Sequence, residues 1–185
     1  MAWVAFDAFV IKFEITTTQE GIVRFTSTVL VLALTGAASA VVHGQALTQR
    51  NMSLQIARVM ADTAMAACQK EGTNVSAAVV DRAGALVLLL RNDAANPHNA
   101  ELARRKAYTS RTFGITTLEF RNRTAGASEF AGQRQLADVI PLGGGVPVRI
   151  GTELIGALGL SGSPTQEADE KCALAGVAAA ANLLK

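Results

Sequence analysis

The sequence predicts an α/β domain in which an antiparallel sheet is flanked by helices. Two pairs of short apolar runs, at 75–90 and 146–160, are each joined by a tight turn, and such hairpins imply antiparallel pairing. Ala-rich stretches with helical spacing precede, separate and follow the two pairs. Half of the residues are hydrophobic but only 5% are aromatic, so the core must be built from Ala, Val, Leu and Ile, which suits helices packed closely on a small sheet. The order helix, hairpin, helix, irregular segment, hairpin, helix gives a layered domain rather than a doubly wound parallel one.

The first helix is signalled by Ser53 as a cap, by Leu54, Ile56, Ala57, Met60, Ala61, Ala64, Ala67 and Cys68 at helical spacing, and by the stop Gly72. The first hairpin follows, with 75–80 and 85–90 joined through Asp81-Arg82-Ala83-Gly84. Its second run is apolar throughout, which predicts a strand covered on both faces. Asn96 as a cap and Pro97 at the first helical position predict a helix from about His98 to Phe113, with Glu101 and Arg105 paired at i,i+4. One or two turns of helix are expected at 117–123, and another at 128–137. The second hairpin runs through Val146 to Ile150, the turn Gly151-Thr152, and Glu153 to Leu160, where Gly156 and Gly159 predict a bulge or a close neighbour. Ser163, Pro164 and Gln166 read as a capping box that opens the last helix.

The first 46 residues read as a leader, and 47–185 as the domain. Arg24 precedes an apolar stretch from Phe25 to Thr35, and Ala38-Ser39-Ala40 is an A-x-A cleavage pattern, so a signal peptide is expected at about 23–40 or 23–46. Residues 1–22 make its charged region too long, which places the true start near Val23. The apolar run is too short for a comfortable membrane span. The expectation is an exported protein, periplasmic or secreted, with no stable membrane span once the leader is removed after Ala40 or Ala46. Export permits a Cys68–Cys172 disulfide, worth about 4–5 kcal/mol on the chain-entropy account. Both cysteines sit on Ala-rich apolar helix faces, and that setting favours free, buried thiols.

A net charge of +2 with 17% charged residues does not point to nucleic acid. Arg104-Arg105-Lys106 reads as a solvated helix face. The absence of C-x-x-C-H rules out covalent c-type haem, and two histidines without a Cys cluster argue against structural zinc. No G-x-S-x-G elbow is present, and no nucleophile–base pair can be named, which argues against autonomous catalysis.

The most informative segment is Gly143-Gly144-Gly145 before Val146-Pro147. Three ordered glycines cost roughly 0.5–1 kcal/mol each, so the backbone there must turn sharply or be closely approached. Consecutive N–H groups in such a turn can form an anion nest, and the alternatives are a structural turn or a subunit contact. The segment is neither a P-loop, since no Gly-Lys-Ser/Thr follows, nor a dinucleotide fingerprint. Together with 77–84, Lys106-Ala107-Tyr108-Thr109-Ser110, 156–162 and Asp169-Glu170-Lys171-Cys172-Ala173, it resembles the GlcG/HbpS-like family, whose relatives include the C-terminal domain of PduO-type proteins. The five motifs stand in the family's order and span roughly 50–185.

The resemblance implies a profilin-like α-β-α sandwich around a five-stranded antiparallel sheet, a homo-oligomer, and non-covalent haem or tetrapyrrole binding with a haem-degrading or iron-sensing role. Glycolate-operon relatives imply the alternative of an accessory enzyme or binding module for a small hydroxy-carboxylate. A third reading is an assembly module without catalysis. The candidate ligand-binding residues are Lys106, Tyr108, Thr109, Gly143, Gly144, Gly145 and Pro147. Thr109 matches a family position tied to haem-iron contact, although a neutral hydroxyl is a poor iron ligand. His98 is the one histidine outside the leader region and is the candidate axial iron ligand, with Tyr108, Met60 and Met65 as alternatives. Lys106 either holds a carboxylate or propionate or forms a structural ion pair with Asp169 or Glu170. Those two acids are the candidate general bases. Adjacent on a helix, they point about 100° apart and cannot face one ligand together.

Overall fold

The computed structural model describes residues 46–185. The expected signal segment up to Gln45, the cleavage position after Ala40 and His43 lie outside the described residues, and Ala46 is the first residue described. Helix α1 spans Leu54–Lys70 and is capped by Ser53, whose hydroxyl accepts from the Ile56 N–H. Strands β1 (Ser76–Asp81) and β2 (Leu86–Arg91) form the first hairpin. Helix α2 covers Asn99–Phe113 and α3 covers Thr117–Arg123. A 3-10 turn occupies Ala131–Gln135 where a longer helical segment was expected. Strands β3 (Gly145–Ile150) and β4 (Glu153–Ser161) form the second hairpin, and α4 (Gln166–Ala179) follows.

The sheet is antiparallel with the order β2-β1-β4-β3. Among the described residues it has four strands rather than the expected five. β1 and β4 pair in the centre, from Ser76 opposite Ser161 to Asp81 opposite Gly156, so each hairpin contributes one inner and one edge strand. Successive strand residues face opposite ways. Ala77, Val79, Val146, Val148, Leu158 and Leu160 pack with α1 and α4. Val80 and Ala157 instead meet Ala107 of α2.

Several local expectations are corrected by tertiary context. β2 is not covered on both faces: Val87, Leu88 and Leu90 pack against the core shared by α1 and α4, whereas Leu86 and Leu89 are exposed at the edge of the sheet. Thr165, not Ser163, caps α4, its hydroxyl accepting from the Ala168 N–H. The Ser163 N–H instead donates to Asp169 Oδ1, 2.9 Å away. Glu101 pairs with Arg104 at i,i+3 rather than with Arg105. His98 occupies the cap position of α2 without a side-chain cap bond, so the helix begins two residues after Pro97. The cysteines are not free: Cys68 and Cys172 form a disulfide that ties α1 to α4. No helix among the described residues is long and apolar enough to cross a membrane.

Candidate functional site

The loop from Leu142 into β3 passes between α2 and α4, and that crossing creates the site. Gly144 lies at φ 117°, and a Cβ there would press on Asp169 and on Leu160 O. A Cβ on Gly145 would meet the Lys106 backbone and the Thr117 side chain. Glycine is required at these two positions by a positive φ and by close backbone approach. The loop's N–H groups are already engaged. Gly143 N–H donates to Gln166 Oε1 and Gly145 N–H to Thr117 Oγ1, each at 2.7 Å, while the Gly144 N–H is directed at Glu170. The three amides thus serve side chains of α3 and α4 rather than pointing together into solvent.

Lys106, in the middle of α2, is almost fully buried beside this loop. Its Nζ donates to Asp169 Oδ2 at 2.8 Å and to Leu160 O at 2.9 Å. Burial pushes the ammonium below its ordinary range, and the Asp169 charge opposes that push. Asp169 is buried too, and its second oxygen takes the Ser163 N–H. Of the two alternatives for a structural partner of Lys106, geometry selects Asp169. Glu170 turns away toward α3, as the 100° offset requires. Burial raises its carboxyl above the usual value, against hydrogen bonds from Leu118, Thr116 and Gly144.

An open cleft of about 290 Å³ lies over the ion pair. The first turns of α2 supply His98, Asn99 and Leu102, and Lys106 lies below them; the opposite wall comes from Ser163 and Gln166. Asn99 is 4% exposed yet lines the cleft. His98 stands exposed at the rim. The cleft thus joins four of the singled-out groups, Lys106, Asp169, His98 and Gln166. It also includes Ser163, which the sequence marked only as a helix cap, and Asn99 and Leu142, which sequence reasoning passed over. Only the position of Asn99 beside His98 could have drawn attention to it.

The remaining candidates lie elsewhere. The Thr109 hydroxyl donates to Arg105 O and accepts the Ile140 N–H, both within 2.9 Å, so it pins the 139–140 segment to α2. The Tyr108 ring packs on Gly84 in the first hairpin turn. Pro147 sits in β3 opposite Ala157. Met60 is fully buried in the core, and Met65 packs against it.

The donor set fits haem in part. An imidazole at the rim can serve as an axial ligand, and the side-chain amides of Asn99 and Gln166 can donate to propionates. Leu102, Leu142 and Pro164 provide the apolar contact for a ring. Among the described residues, no group of three or more His, Cys, Asp or Glu side chains is placed to hold a bare metal ion.

Comparison with known proteins agrees with this architecture. HbpS of Streptomyces reticuli, solved as a double mutant, is 34% identical, with 76% of this chain and 97% of that chain covered and a TM-score of 0.69. The Klebsiella pneumoniae protein ORFY is 25% identical over 74% of this chain and 94% of its own, also at a TM-score of 0.69. PduOC, solved as a complex with heme, is 26% identical over 70% of this chain and 95% of its own, at a TM-score of 0.64. A comparison with curated proteins gives no match. Residues 52–178 match the model of the family described as haem degrading protein HbpS-like, and the chain belongs to that family.

Proposed function

We propose that this protein is an exported, non-covalent haem binder whose iron is met by His98 at the rim of the Lys106–Asp169 cleft. The observation that carries this reading is the exposed imidazole above a cleft with hydrogen-bond donors on both walls, in a chain whose relative PduOC was solved with heme. Bound haem would supply redox chemistry at its iron, and any degradation or sensing would follow from that chemistry. The chain's own residues would bind and orient it: His98 at the iron, Asn99 and Gln166 at the propionates, and the Lys106–Asp169 pair as a rigid floor. Export of the domain, with residues 1–46 as its leader, is part of the same reading. The Cys68–Cys172 disulfide supports it, because such bonds persist in oxidising compartments.

A haemin titration of the full chain, followed in the Soret region, tests the proposal. A saturable red-shifted band is expected, weakened at least tenfold in His98→Ala and unchanged in Tyr108→Ala, whose ring packs on the hairpin turn. A featureless response in the unsubstituted protein would overturn the reading. A small hydroxy-carboxylate is the second reading, favoured by the polar lining and by the buried Lys106 in the floor. It predicts that lactate or glycolate raises the melting temperature and that Asn99→Ala abolishes the rise.

A further inference from the structure

A second cleft, of about 420 Å³, shares no residue with the first. It is bounded by the lead-in residues Leu47, Gln49 and Asn51, by Arg82 and Ala83 in the first hairpin turn, and by Arg111 in the last turn of α2. Neither candidate function uses it.

Its geometry is fixed by the hairpin turn. Asp81 Oδ1 accepts the Ala83 and Ala85 N–H groups, at 2.8 and 2.9 Å, which ties up that oxygen inside the turn. Asn51 Oδ1 accepts the Arg82 N–H at 2.9 Å, and the Tyr108 ring packs on Gly84. Arg82 pairs with Glu153 through one terminal nitrogen, leaving its other N–H groups free to donate elsewhere.

Arg111 is the unusual member. It forms no salt bridge among the described residues, and its Nε is buried without a hydrogen-bond partner. A buried donor on a charged group without an acceptor is costly and calls for an explanation. Burial weighs most against its charge, Arg82 and Arg149 add repulsion, and among the described residues Asp81 opposes them. Arg149 donates to the carbonyls of Thr152 and Gly114 and likewise has no carboxylate partner. The cleft therefore gathers guanidinium charge that the described residues do not fully neutralise, next to an apolar wall from Leu47 and Ala83.

We propose that Arg82 and Arg111 form a binding site for a small ligand bearing an oxyanion, a carboxylate or a phosphate. Guanidinium groups present paired N–H donors whose spacing matches two oxygens of either anion, which is why arginine predominates where such groups are recognised bidentately. The ligand's anionic end would lie between the two guanidinium groups, and its body against Leu47.

Titration of the full chain with sodium malonate and with sodium phosphate, against sodium chloride at matched ionic strength, tests the site by arginine Nε–Hε NMR. A saturable shift of the Arg111 resonance is expected with at least one oxyanion and not with chloride, and the tighter of the two identifies the preferred class. Arg111→Gln should weaken binding at least tenfold, and Arg111→Lys at least fivefold, because lysine keeps the charge but loses the fork. Arg91→Gln, at an exposed position, should have no effect. No saturable shift in the unsubstituted chain, or equal losses in the Arg91 and Arg111 variants, would overturn the proposal. If Arg111→Gln fails to fold, the titration of the unsubstituted chain still decides. Haem binding read by the Soret band should be unaffected in Arg111→Gln, and its loss there would overturn the independence of the two sites.

Discussion

The two faces of the sheet are built on opposite principles. The face toward α1 and α4 carries Val79, Val146, Val148, Leu158 and Leu160, and its helices are held off by side chains. The face toward α2 carries Val80, Ala157, Gly145 and Gly159, so the helix backbone lies almost on the strands. A Cβ on Gly159 would meet the backbone of Ala103 and sit 2.5 Å from Ala107 N. Close approach on that side leaves no room for a conventional apolar core. It does bring a long polar side chain, Lys106, across the edge of the sheet to Asp169 of α4, which belongs to the opposite layer. One face contributes stability through buried area, and the other places the candidate site.

The difference can be broken most severely on the apolar side by opening the Cys68–Cys172 link. The bridge spans 104 residues, and removing a constraint of that length costs about 4–5 kcal/mol on the chain-entropy account. Cys68→Ser with Cys172→Ser should show that loss in urea unfolding while leaving the Lys106–Asp169 cleft able to form.

On the α2 side the ion pair is the comparable test. Lys106→Met strands a buried carboxylate, and breaking such a pair costs about 3–5 kcal/mol. Adding Asp169→Leu should recover much of it, which a double-mutant cycle would measure. If the double variant is as unstable as the single one, the pair is not the unit that holds α2 to α4.

The packing contrast itself is sharpened by Gly159→Ala against Leu158→Ala. The second leaves a cavity and should cost about 2–5 kcal/mol. The first adds one methyl group where the backbone is already in contact, and overpacking should cost about 1–3 kcal/mol. A neutral Gly159→Ala would show that α2 can lift away from the sheet.

The smallest effect expected is a pH dependence from Glu170. Its folded carboxyl titrates above its unfolded value, so just above the ordinary glutamate range the folded state holds more protons. Stability therefore falls as pH rises through that window and is greatest below it. Glu170→Gln should flatten this slope in denaturation midpoints measured from acid to neutral pH. An unchanged slope would assign it to another group.

Much of the fold was legible in the sequence because its signals are local. Ser53 followed by helically spaced apolar residues gave α1, the Asp81–Gly84 turn between apolar runs gave the first hairpin, and Gly159 announced a close neighbour. The errors came where neighbours decide. Leu86 to Leu90 reads as an interior strand, yet its place in the sheet order leaves it at an edge. The cysteines read as buried apolar groups, and buried they are, but facing each other across α1 and α4.

The site divides in the same way. Lys106, His98, Asp169 and the glycine run were each conspicuous by type or context. Asn99 was not, because an Asn in a helical first turn is common, and Ser163 stood out only as a helix cap, a role that Thr165 takes. The cleft that unites them exists only when α2 and α4 are brought to the same end of the sheet.

By itself, then, the sequence determined the element order, the antiparallel pairing within hairpins and the small-residue positions, since periodicity, caps and turn residues act over a few positions. Only the tertiary structure decided the strand order, the disulfide, the partner of Lys106 and the use of the Gly143–Gly145 amides. Each of those depends on two segments far apart in the chain arriving at one place, and no local pattern carries that distance.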